Sequence, residues 1–344
     1  MIRRRPHIVC FLLSALTLLL SCTRERQVQT SFYYWKTAFS LTSIEEDALR
    51  HLHVNRLFVR IMDVDWSTER SEPVPVSPVV FKQAIPDSIA LVPVVFIVNN
   101  ALTFLDKPAI QTLAARIVSY TSAKAAQAGK KKLSEIQIDC DWTKSTKANY
   151  FALLEEIKKK KPAWKLSVTL RLHQFKNRST GIPPADATVL MLYNMGNLRK
   201  SGNQNSILEL NEMKKYLSDE SGAYPLPTDV ALPLFSWTVA FRNNEYLGIA
   251  RVSAADLNKG STFRKRPGTR LYEVLEDLPQ AGLRKKDLLR NESVPADTVS
   301  AAAQLIKKHL TSHDSLRVLY YHLDQQLLKT FPDEKLEEIS HLFN

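Results

Sequence analysis

The sequence predicts an α/β fold, a (β/α)8 TIM-type barrel with an insertion between strands 7 and 8. Eight segments rich in β-branched and aromatic residues alternate with helix-like segments, which is the pattern of strands joined by helices. No glycine-rich phosphate loop follows the first strand, and the chain has only nine glycines, which disfavours an open doubly wound sheet. Two of the predicted strands end in the same pattern, Asp-x-Asp-Trp.

The predicted strands are short runs bounded by turn residues or by helix signals. They cover 31–39, 56–66, 90–100, 133–142, 165–175, 188–195, 229–241 and 316–324. Pro93 lies inside the third run, where the sequence predicts an irregularity or a shifted start because proline donates no ladder hydrogen bond.

Helices are predicted in most of the gaps between strands. Ser43 is the predicted N-cap of the first helix, and Pro108 and Gly129 mark the start and end of the second. The predicted helices cover 43–54, 107–129, 146–162, about 206–218, 296–311 and 333–342. Segment 242–295 is too long for a simple loop, and we expect an extra hairpin or short helices there.

The N-terminus has the layout of a secretory signal, three arginines followed by an apolar run over 8–20. Leu19-Leu20-Ser21-Cys22 resembles the lipobox of bacterial lipoproteins, which implies cleavage before Cys22 and lipidation of Cys22. We therefore expect a signal peptide at 1–21, a linker at 22–30 and a barrel domain at 31–344. The expected location is the cell envelope of a Gram-negative bacterium, on the periplasmic or surface face. A transmembrane anchor is the alternative, but the run is shorter than the ~20 residues needed to cross a bilayer.

The chain is basic, with 47 lysines and arginines against 35 acidic residues and a net charge of +12. We expect no nucleic acid partner, because an exported chain without an aromatic and basic recognition motif does not fit that class. Attraction to anionic headgroups or cell-wall polymers stays open. The basic stretch FRKRPGTR within the insertion is either a solvated surface or, through Arg264, Lys265 or Arg266, part of a site rim. The mature chain would keep one free cysteine, Cys140, and no disulfide.

The stretch IQIDCDW places Asp139 and Asp141 on one face of the fourth predicted strand. Asp63 and Asp65 occupy the equivalent positions in IMDVDW on the second. Catalytic groups of this fold lie at the carboxyl ends of the strands, and alternate strands share a layer. We therefore expect the four carboxyl groups at one mouth, where like charges raise some of their pKa values.

Aromatic and polar residues end the other predicted strands. Aromatic rings beside carboxylates suit a sugar, and glycosidic cleavage uses two carboxyl groups, about 5 Å apart for retention or roughly 6.5 to 9.5 Å for inversion. Two alternatives stay open: each aspartate caps a helix or pairs with an arginine such as Arg60 or Arg171, and the tryptophans of the two patterns are packing residues. No His-x-His or His-Glu-x-x-His spacing and no Gly-x-Ser-x-Gly elbow is present, so we expect no metal, no cofactor and no serine triad.

Two motifs resemble the chitinase-like family 18 glycoside hydrolases. Asp139-Cys140-Asp141-Trp142 resembles the family's Asp-x-x-Asp-x-Asp-x-Glu on the fourth strand, and Met191-Leu192-Tyr193-Asn194 resembles its Met-x-Tyr-Asn on the sixth. The resemblance implies that Asp141 and Tyr193 hold the substrate's acetamide as it attacks the anomeric carbon. The chain departs from the family at the acid glutamate, which is Thr143 here, and at the first aspartate, which is Ile136. Across most of 31–324 the chain more closely resembles bacterial barrel lipoproteins without an established activity.

These observations predict a lipid-anchored, glycoside-hydrolase-like barrel that binds a poly- or oligosaccharide and, with an acid other than Thr143, hydrolyses it. The membrane would be a partner through the lipid anchor. Asp141 is the candidate acid or acetamide-orienting group and Asp65 its carboxylate partner, with Asp139 and Tyr193 also catalytic. The expected substrate-binding residues are Asp63, Trp35, Trp66, Trp142, His173, Gln174, Asn194, Trp237 and His322. The alternatives are a non-catalytic glycan-binding lipoprotein and an envelope scaffold or interaction protein that uses segment 242–295 while its aspartates are structural.

Overall fold

The computed structural model describes residues 26–217, 224–310 and 314–344. The predicted signal peptide and the predicted lipidation site, Cys22, lie outside the described residues and stay predictions. The first strand begins at Gln27, inside the stretch predicted as a linker.

The strands of the described residues are numbered in chain order. They are β1 (Gln27–Tyr34), β2 (Ala38–Phe39), β3 (Arg56–Ser67), β4 (Glu72–Val76), β5 (Val80–Phe81), β6 (Ala90–Ile97), β7 (Glu135–Cys140), β8 (Lys165–Arg171), β9 (Ala187–Met191), β10 (Thr228–Pro233), β11 (Trp237–Arg242), β12 (Glu245–Ala250), β13 (Phe263–Lys265), β14 (Leu271–Val274), β15 (Leu288–Glu292) and β16 (Ser315–Tyr321).

The α-helices are numbered in the same way. They are α1 (Ser43–His51), α2 (Lys107–Gln127), α3 (Lys147–Lys160), α4 (Leu172–Lys176), α5 (Leu210–Lys214), α6 (Ala254–Leu257), α7 (Ala296–Lys307), α8 (Gln325–Thr330) and α9 (Asp333–His341). No helix of 26–217, 224–310 or 314–344 has both the length and the apolarity needed to span a bilayer.

Eight parallel strands form a closed barrel. Their order is β1, β3, β6, β7, β8, β9, β10 and β16, and β1 pairs with both β3 and β16, which closes the sheet. Long helices such as α2 and α3 connect the strands. The predicted (β/α)8 barrel is therefore confirmed, as is an insertion between its seventh and eighth strands.

Strand β3 extends beyond the barrel. Residues 63–67 pair in antiparallel fashion with β4, so this hairpin stands above the carboxyl ends of the strands. Strand β6 starts at Ala90, so the start predicted from the sequence is not shifted by Pro93. An irregularity is present next to Pro93, but it lies in the neighbouring strand β3, whose register shifts between Arg60 and Met62.

Helix boundaries follow local signals with two differences. Thr42, not Ser43, is the N-cap of α1, since its hydroxyl accepts from the amide of Glu45 while the Glu45 carboxylate accepts from the amide of Thr42. The helix predicted over about 206–218 is limited to α5, five residues long. Side chains of β15 bind segment 198–206 and hold it as a loop.

The seventh predicted strand is wrong at its carboxyl end. The barrel strand β10 stops at Pro233, and β11 begins at Trp237 in a separate antiparallel sheet of order β12, β11, β15, β14, β13. The insertion is therefore a five-stranded sheet that begins at 237 rather than 242, and it contains the expected hairpin, β13 with β14, and a short helix, α6. An apolar run continues through both strands, so periodicity alone does not reveal the change of sheet. The fifth predicted strand is also too long, because α4 begins at Leu172.

Charged side chains fill the barrel interior near the amino-terminal ends of the strands. The guanidinium of Arg317 donates to Asp229 at 2.7 Å and to both carboxylate oxygens of Glu135, at 2.7 and 3.0 Å. Burial raises the pKa of Glu135, but Arg317 outweighs it and holds that pKa below its ordinary value. Glu135 begins β7, so this ion-paired group closes the amino-terminal end of the barrel and leaves the opposite end for the site.

Candidate functional site

Asp139 lies near the centre of the barrel mouth. Its side chain comes from β7 and is almost wholly buried, and its Oδ1 accepts a hydrogen bond from the Thr169 hydroxyl at 2.6 Å. Burial raises the pKa of Asp139 to about 6; Thr169 and Arg171 oppose the shift, and Asp141 and Asp63 add to it. The mouth therefore holds a carboxyl group that is partly protonated near neutral pH.

Asp141 stands two residues further along, at the exposed edge of the mouth. Arg171, at the end of β8, donates from Nε to Oδ1 and from Nη2 to Oδ2 of Asp141, both at 2.6 Å. This bidentate pair fixes both oxygens of the carboxylate. Pairing of an aspartate with Arg171, one of the open alternatives, is therefore present. The paired residue is Asp141, which the family resemblance implies would bind the acetamide of the substrate.

Asp63 reaches the same mouth from β3. Arg60 donates from Nη1 to its Oδ1 at 2.7 Å, and the Arg60 guanidinium lies 6.0 Å from the centre of the Trp35 ring. Asp65 lies higher on the hairpin, opposite Val74 of β4, and its Oδ1 accepts from the amide of its own neighbour, Trp66, at 2.7 Å.

Six aromatic side chains form one connected group at the mouth, here called the aromatic cluster. Tyr321 is in the middle, with ring centroids 5.2 Å from Tyr193 and 5.5 Å from Trp35 and from Phe235. The Phe235 and Trp237 centroids are 5.1 Å apart. The members of the aromatic cluster are Tyr33, Trp35, Tyr193, Phe235, Trp237 and Tyr321.

Exposure differs among the rings. Tyr193 is almost wholly buried, and burial, with Tyr33 and Tyr321 close by, raises its pKa well above the ordinary value, so its hydroxyl keeps its proton. Trp35, Phe235, Trp237 and Tyr321 are half-buried and present part of their surface at the mouth. The mouth is thus an aromatic surface beside a protonated tyrosine hydroxyl and one partly protonated carboxyl group.

A buried ion pair in the insertion positions Trp237. Glu292 is fully buried; its Oε2 accepts from Trp237 Nε1 at 3.1 Å and from the amide and the hydroxyl of Ser206, each at 2.6 Å. Its Oε1 accepts from Arg290 Nε at 2.6 Å. No local sequence pattern predicts the Arg290–Glu292 ion pair.

The same arginine holds the loop over 194–206. Arg290 donates to the carbonyls of Leu198 at 3.0 Å and Lys200 at 2.6 Å. At Gly196 the loop passes so close to Ser206 that a Cβ there would lie 2.9 Å from the Ser206 Cα. The loop that follows Tyr193 is therefore fastened to the insertion rather than extended into the predicted helix.

The two tryptophans of the Asp-x-Asp-Trp patterns lie outside the aromatic cluster. Trp142 is 4% exposed and packs on Tyr150 and Phe151 of α3, with centroids 6.2 and 5.7 Å away. Trp66 contacts Phe104 at 5.7 Å. For Trp142 the contacts describe a packing residue, which is the alternative that the sequence left open.

His173 and Gln174, predicted at the end of the fifth strand, lie in α4 instead. His173 is exposed and lines a depression of about 410 Å³ with Lys176, Asn177 and Tyr216. Partial burial of its imidazole, together with the nearby Arg171 charge, lowers the pKa of His173. Gln174 is buried, and its Oε1 accepts from the amide of Arg171 at 2.8 Å. Its contacts place it beneath Arg171, where it supports the arginine that binds Asp141.

Two further predicted residues border the mouth. Asn194 is exposed and adopts a left-handed backbone conformation with φ of 53°. His322 follows Tyr321 through a cis peptide bond, and burial lowers its pKa, with Asp324 opposing the shift. Asp324 itself pairs with Lys36 at 2.9 Å.

The position that corresponds to the family's acid carries no carboxyl group. Thr143 is exposed, and its hydroxyl lies 2.9 Å from that of Ser145 and accepts from Asn99 at 3.4 Å. Within the described ranges no three histidine, cysteine, aspartate or glutamate side chains are arranged to hold a metal ion.

No family model matches the chain, and no curated protein matches it in sequence. It is similar to a solved chitinase from Chromobacterium violaceum at 15% identity and a TM-score of 0.47, covering 92% of this chain and 98% of that one. A fungal endo-beta-N-acetylglucosaminidase from glycosyl hydrolase family 18 is 8% identical with a TM-score of 0.48, over 91% and 97% of the two chains. The protein YKL-39, solved with chitooligosaccharides, is 7% identical with a TM-score of 0.49, over 92% and 99%. At these identities the similarity assigns no residue a role.

Proposed function

We propose that this chain is a glycan-binding protein whose barrel mouth holds a sugar against the aromatic cluster without cleaving it by the family mechanism. The observation that carries the proposal is the aromatic cluster itself, which joins four half-buried rings and lies near Asp139, whose charge contributes to the raised pKa values of Tyr193 and Tyr321. The apolar face of a pyranose packs on such rings, and its hydroxyl groups need polar partners at the edge.

The mouth offers both kinds of contact. Trp35, Tyr321, Phe235 and Trp237 form a continuous surface with centroid separations between 5.1 and 5.5 Å, which matches the ring spacing of packed aromatic groups. Apolar surfaces with a few convergent polar groups are the usual composition of small-ligand sites.

Cleavage by the family mechanism is disfavoured at two positions. The Thr143 hydroxyl cannot donate a proton at a useful pKa. The Asp141 carboxylate is held by two guanidinium nitrogens of Arg171, Nε and Nη2, each at 2.6 Å. An acetamide would have to displace this charged pair before Asp141 could orient it. Binding without turnover is the function that remains for the same mouth.

Hydrolysis is the second candidate, and one observation favours it. The pKa of Asp139, about 6, lets this carboxyl group carry a proton near neutral pH, as a general acid must. In that case Asp139→Asn would abolish product formation while leaving the aromatic surface in place.

The lipid anchor is part of the proposal and rests on the lipobox-like residues alone. A chain processed at Cys22 would incorporate a radiolabelled or azide-bearing fatty acid, and Cys22→Ser would not. Equal labelling of both chains would remove the anchor and the envelope location from the proposal.

The function is tested with the full chain in detergent and a panel of N-acetylated and neutral oligosaccharides. Calorimetric titration measures affinity, and mass spectrometry of the same samples detects products. We expect saturable binding and no products. Trp237→Ala should weaken binding by about tenfold, in line with the loss of a central aromatic anchor, whereas Trp164→Ala, at the opposite end of the barrel, should leave it unchanged. Products that disappear in Asp139→Asn would establish the second candidate instead.

A further inference from the structure

Five exposed cations from two distant segments lie together beside the mouth, and we call them the basic rim. One segment is the loop after Tyr193 and the other is the turn between β13 and β14. Arg270 donates from its amide to Asn203 Oδ1 at 2.6 Å and from Nη1 to the Asn203 carbonyl at 3.2 Å, which joins the two segments. The members of the basic rim are Arg199, Lys200, Lys265, Arg266 and Arg270.

The basic rim is not neutralised by neighbouring carboxylates. Four other cations of the insertion are paired, among them Arg264 with Glu273 at 3.0 Å and Arg242 with Asp287 at 2.8 Å. Among the described residues, no aspartate or glutamate forms an ion pair with any member of the basic rim. Segment 237–292 contains eleven basic and seven acidic residues, and three of its unpaired cations belong to the basic rim.

The basic rim is continuous with the aromatic cluster. The Lys200 carbonyl accepts from Arg290 at 2.6 Å, Arg290 pairs with Glu292, and Glu292 accepts from the indole of Trp237 at 3.1 Å. Arg290 and Glu292 are fully buried, so these bonds fix the position of the loop relative to Trp237. On the sheet itself, Trp237 pairs with Glu292 of β15, and the amide of the adjacent Asn291 donates to the Arg270 carbonyl at 2.9 Å, which places Arg270 one strand beyond the partner of Trp237.

Cations also border the rings from within the barrel. Arg60 lies 6.0 Å from the Trp35 ring centre, and Arg171 lies beside Asp139 and Tyr193, whose proton affinities it lowers. Each is paired with an aspartate, Asp63 or Asp141, so the unpaired positive charge near the mouth is that of the basic rim. Clusters of one sign at the edge of a concave site raise the local concentration of ligands of the opposite sign.

We infer that the glycan is acidic: an oligosaccharide with carboxylate groups, such as a chain of uronic acids, whose sugar faces pack on the aromatic cluster while its anionic groups lie along the basic rim. This inference rests on the proposed function and adds the ligand's charge to it. The sequence left FRKRPGTR open between a solvated surface and a site rim, and the contacts of Arg270 favour the rim.

The test compares two ligands that differ only in charge. The full chain in detergent is titrated calorimetrically with a uronic acid oligosaccharide and with the same oligosaccharide after its carboxyl groups have been reduced to alcohols. We expect tighter binding of the acidic form at low salt and a difference that shrinks as salt is added, because exposed charges are screened. The double variant Lys265→Gln/Arg266→Gln should lose about three- to tenfold of the affinity for the acidic form only.

The matched control removes the same charge elsewhere. Lys131 and Lys132 are exposed just before β7, at the amino-terminal end of the barrel, so Lys131→Gln/Lys132→Gln should leave both affinities unchanged. Equal loss in the two double variants would show a general charge effect and would overturn the inference.

The outcomes separate the inference from the function beneath it. Equal binding of the acidic and reduced forms, insensitive to the rim variant, would refute the acidic ligand and leave the glycan-binding proposal intact. Binding of neither form, nor of the wider panel, would refute both. The immobilised chain is also exposed to phosphatidylcholine vesicles with and without phosphatidylglycerol. Rim-dependent capture of the anionic vesicles without preference for the acidic glycan would assign the basic rim to a lipid surface instead.

Discussion

Replacing Glu292 with glutamine tests the pair that joins the insertion to the mouth. The carboxylate accepts four hydrogen bonds, from Arg290, from Trp237 and twice from Ser206, and both members of the ion pair are fully buried. Glu292→Gln keeps the shape but leaves the Arg290 charge without its partner, and the new amide group faces donors instead of accepting from them. Breaking a buried pair from one side costs about 3 to 5 kcal/mol.

The free energy of unfolding is measured by equilibrium urea denaturation, followed by circular dichroism. At roughly 2 to 3 °C per kcal/mol for a chain of this size, the same loss should lower the melting temperature by about 6 to 15 °C. Glu273→Gln is the matched control, because Glu273 pairs with Arg264 on the same sheet but in contact with solvent, and it should cost about 1 kcal/mol or less.

A second variant separates charge from packing. Arg290→Met/Glu292→Leu removes both charges and should recover part of the stability that Glu292→Gln loses, since no isolated charge stays buried. Stability of Glu292→Gln within 1 kcal/mol of the parent chain, or a double variant less stable than the single one, would refute the reasoning.

Three further predictions concern the interior of the barrel. Because the pKa of Asp139 is raised from 3.8 to about 6, the folded chain binds more protons than the unfolded one in that interval, and ionisation of Asp139 destabilises the fold as pH rises. The parent chain should therefore lose roughly 2 kcal/mol relative to Asp139→Asn between pH 4 and pH 7 in urea denaturation, and parallel pH profiles would contradict this. Arg317→Met should cost about 3 to 5 kcal/mol because Glu135 and Asp229 stay buried without their partner. Arg56→Met, which removes a half-exposed partner of the same Glu135 at 3.4 Å, should cost about 1 kcal/mol or less, and equal losses in the two variants would contradict the account. Trp142→Phe should lower stability without changing glycan affinity, since the indole packs on α3, and a changed affinity measured by titration would return Trp142 to the site.

Alternation along the strands explains which site residues could be predicted. Glu135, Gln137 and Asp139 all point into the barrel, as their contacts with Arg317, Tyr33 and Thr169 show. The sequence predicted the inward direction of the aspartates from this alternation. The same alternation places Trp142, which follows Asp141, on the outer face toward α3. The packing role of Trp142 could therefore be predicted from the sequence.

Long-range pairs explain what could not be predicted. Glu292 binds Ser206, 86 residues away in the chain, and Arg290 binds carbonyls 90 and 92 residues away. Neither side has a local signal, because the geometry exists only after the insertion has folded beside the barrel. Segment 206–209, which these bonds help to hold as a loop, was therefore predicted as the start of a helix, and Phe235 was missed because the end of β10 at Pro233 was not recognised.

The measurement that tests the central claim most directly is a calorimetric titration of the parent chain and Trp237→Ala with the oligosaccharide panel, with mass spectrometry on the same samples. The account predicts saturable binding by the parent chain, about tenfold weaker binding by Trp237→Ala, and intact oligosaccharide in both samples. Equal affinity of the two chains, or no binding to any member of the panel, would contradict it.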